Sequence, residues 1–272
     1  MLIRQWLTRF GGNLPLGLLF FCSFLTLRAG TMDVQTIIQK SVAATEEDFN
    51  SAPQYNHKEQ DRTSEGSKTY QVTMIEGTPY QRLIAANGKP LSPQQVQAEE
   101  KKQEQVAAQR RAESAQGRQE RIAKYEKERK RNHAMMEQLT RAFNFQLLGQ
   151  GKARGFTVYI LKATPRPGYQ PPNLETQVLL GMQGELWVDV KTYQWVKVTA
   201  RVIHPVSIEG FLAEVEPGTQ FELEKSPVDG GVWQVSHFSM KSQAKVLHLF
   251  NRASSEDDTY FDYCRAAGNS GK

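Results

Sequence analysis

Apolar and polar positions change their spacing three times along the chain, and each change predicts a different kind of element. In residues 31–53, "TMDVQTIIQKSVAATEEDFNSAP", Val34, Ile37, Ile38, Val42 and Ala43 recur at helical spacing on one side. This predicts an amphipathic helix, with Asp33 as its N-terminal cap and Pro53 beyond its end. The segments "QYNHKEQDR", "KTYQVTMIEG" and "PYQRLIAANGKPLS" that follow read as strands. Asn87-Gly88 predicts a tight turn, and Pro90 and Pro93 end strand pairing there.

Residues 94–141 contain no proline and are built mainly of helix formers. They carry 12 Lys/Arg and 8 Asp/Glu, a net of +4. Their sparse apolar positions, Val96, Val106, Ile122 and Tyr125, sustain no heptad, which argues against a long coiled coil. One continuous helix would extend roughly 70 Å at 1.5 Å per residue. Gly117 is the expected break, and a helical hairpin there would bring the chain back beside the sheet. Two roles fit this charge pattern: a solvated helical excursion, or a docking arm for an envelope protein partner or anionic headgroups.

Beyond residue 142 the period returns to two. "FNFQLLG", "RGFTVYILKATP", "LETQVLLGMQGELWVDV", "YQWVKVTARVI" and the segments after them supply strands separated by short turns rich in Gly, Pro and Asp. With no helices between them, these strands predict an antiparallel meander. Several are apolar on both faces, as in "FTVYIL" and "KVLHLF". Two arrangements produce that pattern: a sheet covered on both sides, or a curled sheet enclosing an apolar cavity.

The N-terminus changes the electrostatic reading. Arg4 and Arg9 precede an apolar run, "LPLGLLFFCSFLTL", that is short for a membrane span and fits the h-region of an export signal. The expected organisation is a signal peptide over 1–29 and a single domain over 30–272, exported to the periplasm, with an uncleaved anchor as the alternative. Cleavage removes Arg4, Arg9 and Arg28, so the formal charge falls from +5 to +2. That charge argues against a nucleic-acid partner. Of the two cysteines, Cys22 lies in the signal, which leaves Cys264 without an intramolecular disulfide partner.

Catalytic motifs are absent. There is no G-x-S-x-G elbow, no Walker loop and no G-x-G-x-x-G. His57, His133, His204, His237 and His248 form no local metal pattern, so neither metal nor cofactor is expected. Asp189, in "GELWVDVKTYQWVKVTARV", falls at a hairpin end, where its carboxylate would accept backbone N–H bonds as an Asx turn does. In the strand after it, Val196, Val198, Ala200 and Val202 should face one way, with Trp195, Lys197, Thr199 and Arg201 opposite.

The order of an exported chain, an N-terminal amphipathic helix, "FNFQLLG…RGFTVYILKATPRPGYQPPN" and "GMQGELWVDVKTYQWVKV" resembles the LolA/LolB-like family of periplasmic lipoprotein carriers. The match is most specific over 143–202. The resemblance implies an α+β fold: an antiparallel half-barrel sheet with an N-terminal helix as part of its lid. The long charged helical stretch at about 94–141 would then be an insertion. It also implies a non-enzymatic protein that holds lipid or lipoprotein acyl chains, in lipoprotein sorting or envelope lipid handling. A sensing or scaffolding branch of the fold, working through the charged helices, is the alternative. Candidate wall residues are Phe156, Val158, Ile160, Trp187, Val196, Val198, Phe211, Phe221, Phe238 and Met240.

Overall fold

The structure is a computed structural model that describes residues 33–173, 175–208, 213–246 and 250–266. The expected signal peptide, Phe211 and His248 lie outside the described residues. Among the described residues three α-helices, α1 (Val34–Ser51), α2 (Pro93–Ala112) and α3 (Ala115–Ala142), and two 3-10 helices, Ala52–Gln54 and Glu175–Gly181, accompany one antiparallel sheet. Its strands are β1 (Tyr55–Thr63), β2 (Gly66–Ile75), β3 (Thr78–Ala86), β4 (Lys89–Pro90), β5 (Phe143–Ala153), β6 (Phe156–Pro165) and β7 (Met182–Asp189). They continue as β8 (Trp195–Val202), β9 (Val206–Ile208), β10 (Ala213–Val215), β11 (Gln220–Pro227), β12 (Trp233–Val246) and β13 (Phe250–Arg265).

The strand order is β4-β3-β2-β1-β13-β12-β11-β8-β7-β6-β5, with β9 and β10 attached beside β12. The sheet is open, so β4 and β5 are its edges, and the fold is the α+β half-barrel type expected. Short turns set the registers. Asn87 and Gly88 both have positive φ, and the Asn87 side chain accepts from Ser67 N, which ties this turn to the start of β2 beside the β1–β2 turn.

The charged segment joins the two edges directly, since α2 and α3 lie between β4 and β5 in the chain. At 1.5 Å per residue they measure about 30 Å and about 42 Å. The break falls at Ser114, not at Gly117. Ser114 takes extended geometry and its side chain accepts from Gly117 N, so an N-cap, not a glycine, ends the first helix. The elbow is held to the β2–β3 turn. Arg110 donates to the carbonyls of Ile75, Thr78 and Pro79, and Arg121 donates to Thr78 Oγ1 and Glu76 O while pairing with Glu113. The segment is therefore strapped to the sheet and does not project from it.

Helix α1 starts as expected, with the Asp33 carboxylate accepting from Thr36 N. Its buried stripe is more polar than the apolar pattern suggested: Ile37, Ile38, Ser41, Thr45 and Asp48, with Ala43 exposed. The Ser41 and Thr45 hydroxyls donate to carbonyls one turn back, which satisfies them inside the fold. Asp48 has a long-range partner. Its carboxylate takes the Lys225 ammonium, the backbone N–H of Trp233 at 2.9 Å and Gln194 Nε2 at 3.2 Å.

Candidate functional site

Cross-strand register sorts the sheet's side chains into two faces. On the first face one rung runs Leu147, Leu161, Leu186, Val198, Leu223 and Phe238 through β5, β6, β7, β8, β11 and β12. The next rung runs Phe145, Ala163, Gly184, Ala200, Phe221 and Met240. Three small residues thus lie between two phenylalanines, and that difference in side-chain length cuts a trough into the face.

Helices α1 and α3 roof this trough. Ile38 and Ser41 of α1 and Leu139 and Thr140 of α3 enclose it with Phe143, Phe145, Leu179, Met182, Trp195 and Phe221. The enclosed space is only about 30 Å³, room for about one water and not for an acyl chain. Trp195 Nε1 is buried there without a hydrogen-bond partner among the described residues. Past Phe221 the apolar strip continues over half-buried Leu223, Phe238 and Met240.

Gly184 is fixed in this trough by backbone proximity. A Cβ at that position would lie 2.1 Å from Thr199 O and 3.0 Å from Ala200 Cα. Gly184→Ala should therefore force β7 and β8 apart and cost about 1–3 kcal/mol of stability. An unchanged urea midpoint would show that the strands absorb the methyl group.

The opposite face is different. Phe156, Val158, Ile160 and Trp187 share it by register, and Val158, Val196 and Trp233 form a buried cluster that they pack against. The Phe156 and Trp233 rings lie 4.8 Å apart. Farther along this face a groove of about 640 Å³ is lined by Lys162, Gln183, Glu185, Arg201, Glu222 and Lys241 among others. It is the larger of the two concavities, but its lining is mainly polar and charged, with Gly184, Ala200 and Phe221 as its apolar part. Beside it Lys197 bridges Glu222 at 2.6 Å and Glu224 at 3.3 Å, and Arg154 also pairs with Glu224.

The described wall candidates are therefore divided. Val198, Phe221, Phe238 and Met240 lie on the trough face, whereas Phe156, Val158, Ile160, Trp187 and Val196 lie with the second cluster. A β-bulge explains why Val196 and Val198 part company. Trp187 pairs with Lys197 but Val188 pairs with Trp195, so Val196 is an extra residue in β8. Trp195 consequently shares the trough face with Val198, against the alternation expected for this strand. Its aromatic identity was visible in the sequence, but its direction was not.

Asp189 has the turn role expected of it. Its Oδ2 accepts from Lys191 N, Thr192 N and Thr192 Oγ1, which fixes the β7–β8 turn. His237 sits opposite Glu224 and within 3.3 Å of Asp257.

No family model and no curated protein matches the chain. Among solved structures it is similar to a DUF1329 family protein from Desulfovibrio piger, with a TM-score of 0.35 and 11% identity over 87% of this chain and 95% of that one. It is also similar to a LolA superfamily protein from Nitrosomonas europaea, with a TM-score of 0.30 and 13% identity over 85% and 92%. A putative outer membrane lipoprotein-sorting protein domain from Vibrio parahaemolyticus gives a TM-score of 0.30 and 12% identity over 85% and 94%. Similarities of this size say nothing about ligand or partner.

Proposed function

We propose that this is an exported, non-enzymatic binding protein that takes a lipid or lipoprotein acyl chain into the trough between the sheet and helices α1 and α3. The observation that carries the reading is the rung of Ala163, Gly184 and Ala200 between Phe145 and Phe221. It leaves a track of small residues on an apolar face, over which Phe143, Leu179, Met182 and the two helices are packed. At about 30 Å³ the space does not admit an acyl chain, so binding requires the helices to part from the sheet. Each methylene then buried returns about 0.8 kcal/mol. The unpartnered Trp195 N–H is a donor available to a ligand carbonyl. The strip over Phe238 and Met240 extends the track beyond the roof.

The test uses protein purified from an exporting host, a fluorescent fatty acid and mass spectrometry of extracted material. Wild type should bind the probe, and Ala200→Leu, which fills the track, should weaken it at least tenfold while leaving the circular dichroism spectrum intact. Protein that is empty on extraction and indifferent to the probe would sink the reading. Deleting residues 94–141 separates it from the protein-docking alternative. Loss of acyl binding identifies the segment as roof, whereas retained acyl binding with loss of a captured envelope protein identifies a docking arm.

A further inference from the structure

The roof carries a group of side chains that the acyl-binding reading does not use. Glu46 on α1 meets His133 and Glu137 on α3, and one donor atom from each lies within 4.8 Å of the other two. His133 and Glu137 are one helical turn apart, so they share a face of α3. His133 Nε2 lies 2.7 Å from Glu46 Oε2. The imidazole is held flat against Phe49, with ring centroids 4.0 Å apart and 15° between planes, and Arg129 sits 4.3 Å over the Phe49 ring. Arg129 also donates to Phe49 O, so the ring that supports the histidine is itself tied to α3.

The charges at this junction do not balance. Two carboxylates converge on one imidazole, and among the described residues neither Glu46 nor Glu137 has a Lys or Arg partner. This differs from the other acid–histidine group on the sheet, Glu222, Glu224 and His237, where Lys197 and Arg154 already neutralise the carboxylates. The Glu46 carboxylate is further oriented by Asn50 Nδ2, which donates to its other oxygen at 3.4 Å. Metal-binding carboxylates are commonly given such an outer hydrogen bond.

We propose that Glu46, His133 and Glu137 form a site for a divalent transition-metal ion of the Zn²⁺ type, which staples α1 to α3. One imidazole nitrogen and two carboxylate oxygens are a donor set suited to Zn²⁺, with water completing the tetrahedron. The oxygen-only, higher-coordination demands of Ca²⁺ are not met by this set. Binding displaces any proton on His133, so affinity falls as the pH is lowered. Because α1 and α3 are the two roofing helices, a metal bridge between them holds the roof shut. That consequence rests on the acyl-binding reading; the metal site itself does not.

The direct test is calorimetric titration of the chelator-treated full-length protein with Zn²⁺, and with Co²⁺ while recording visible absorption. One site is expected, with Co²⁺ bands of a nitrogen- and oxygen-ligated ion. Glu137→Gln, at an exposed position, should weaken binding by about tenfold or more, and His133→Gln should abolish it. His237→Gln should leave it unchanged. No heat of binding, or equal affinity in wild type, Glu137→Gln and His133→Gln, would overturn the proposal and leave the cluster as an ordinary ion pair. In a second arm, saturating Zn²⁺ should slow fluorescent fatty acid uptake in wild type but not in His133→Gln. Zinc binding with no effect on uptake refutes the lock alone, and absence of any uptake refutes the acyl reading while the zinc titration still stands.

Discussion

Replacing Asp48 by alanine should cost about 3–5 kcal/mol of folding stability, because it strands a buried ammonium. Asp48 is 4% exposed and Lys225 is 6% exposed, so neither can turn to water when the other is removed. The same carboxylate satisfies the Trp233 backbone N–H and the Gln194 amide, and both would lose an acceptor. Burial already pushes the Lys225 pKa down, opposed by Asp48. Without Asp48 that depression deepens, and the lysine sheds its proton in the folded state at a pH where the unfolded chain keeps it. The unfolded state then binds more protons, so the variant should regain stability as the pH rises toward the ordinary lysine pKa. Asp48→Ala combined with Lys225→Met should recover much of the loss, since an apolar pair leaves no orphaned charge. Urea titrations of the two single variants and the double variant measure the coupling directly. A single-variant loss below about 1 kcal/mol would mean that water reaches the pair.

The functional meaning of that pair lies in its position. It fastens the C-terminal half of α1 to β11 and β12, while Glu46 and Phe49 meet α3 on the neighbouring turns. The roof is thus held by polar contacts at one end and by Ile37 and Ile38 packing nearer the other.

Periodicity made the elements legible in the sequence, but contacts between distant residues were not. The N-terminal helix, the Asn87-Gly88 turn, the charged helices and the antiparallel meander each follow from local spacing or turn chemistry. Asp48 and Lys225 did not announce themselves, because charged residues far apart in sequence normally read as surface. Glycine weakens a helix, so the sequence points to an elbow at Gly117, whereas Ser114 caps a new helix. At the candidate site the limiting feature was the bulge at Val196. A single extra residue reverses every later side chain in β8 relative to its start, so Trp195 and Val198 fall on one face despite their odd separation. The helical pair Glu46 and His133 was equally invisible, because its halves lie on separate helices.

Asp258 and His57 should give this protein two opposing pH dependences that single substitutions separate. Asp258, 5% exposed on β13, lies opposite Asp61 of β1 and Phe238 of β12. Burial, then the charge of Glu256 and a hydrogen bond with it, and then Asp61 and Glu59, raise its pKa to about 7. Lys68, opposite Asp61, is the cation facing this acidic strip, and Tyr70 and Tyr260 border it. The folded state therefore holds a proton that the unfolded chain has released, and stability falls as the pH rises from about 4 to about 7. His57, packed between Tyr260 and Tyr263, has its pKa lowered by burial to about 4. There the unfolded chain binds the extra proton, so stability rises with pH from about 4 to about 6.5. Each effect is at most about 1.4 kcal/mol per pH unit, and screening at exposed Glu256 reduces the first. Burial raises Glu59 and Asp61 as well, so in wild type the fall with pH should outweigh the rise. Asp258→Asn should make the fall of the urea midpoint with pH shallower or reverse it, whereas His57→Gln should make it steeper. If both variants track the wild-type profile, the acidic strip is solvated and the carboxyl of Asp258 titrates like any other.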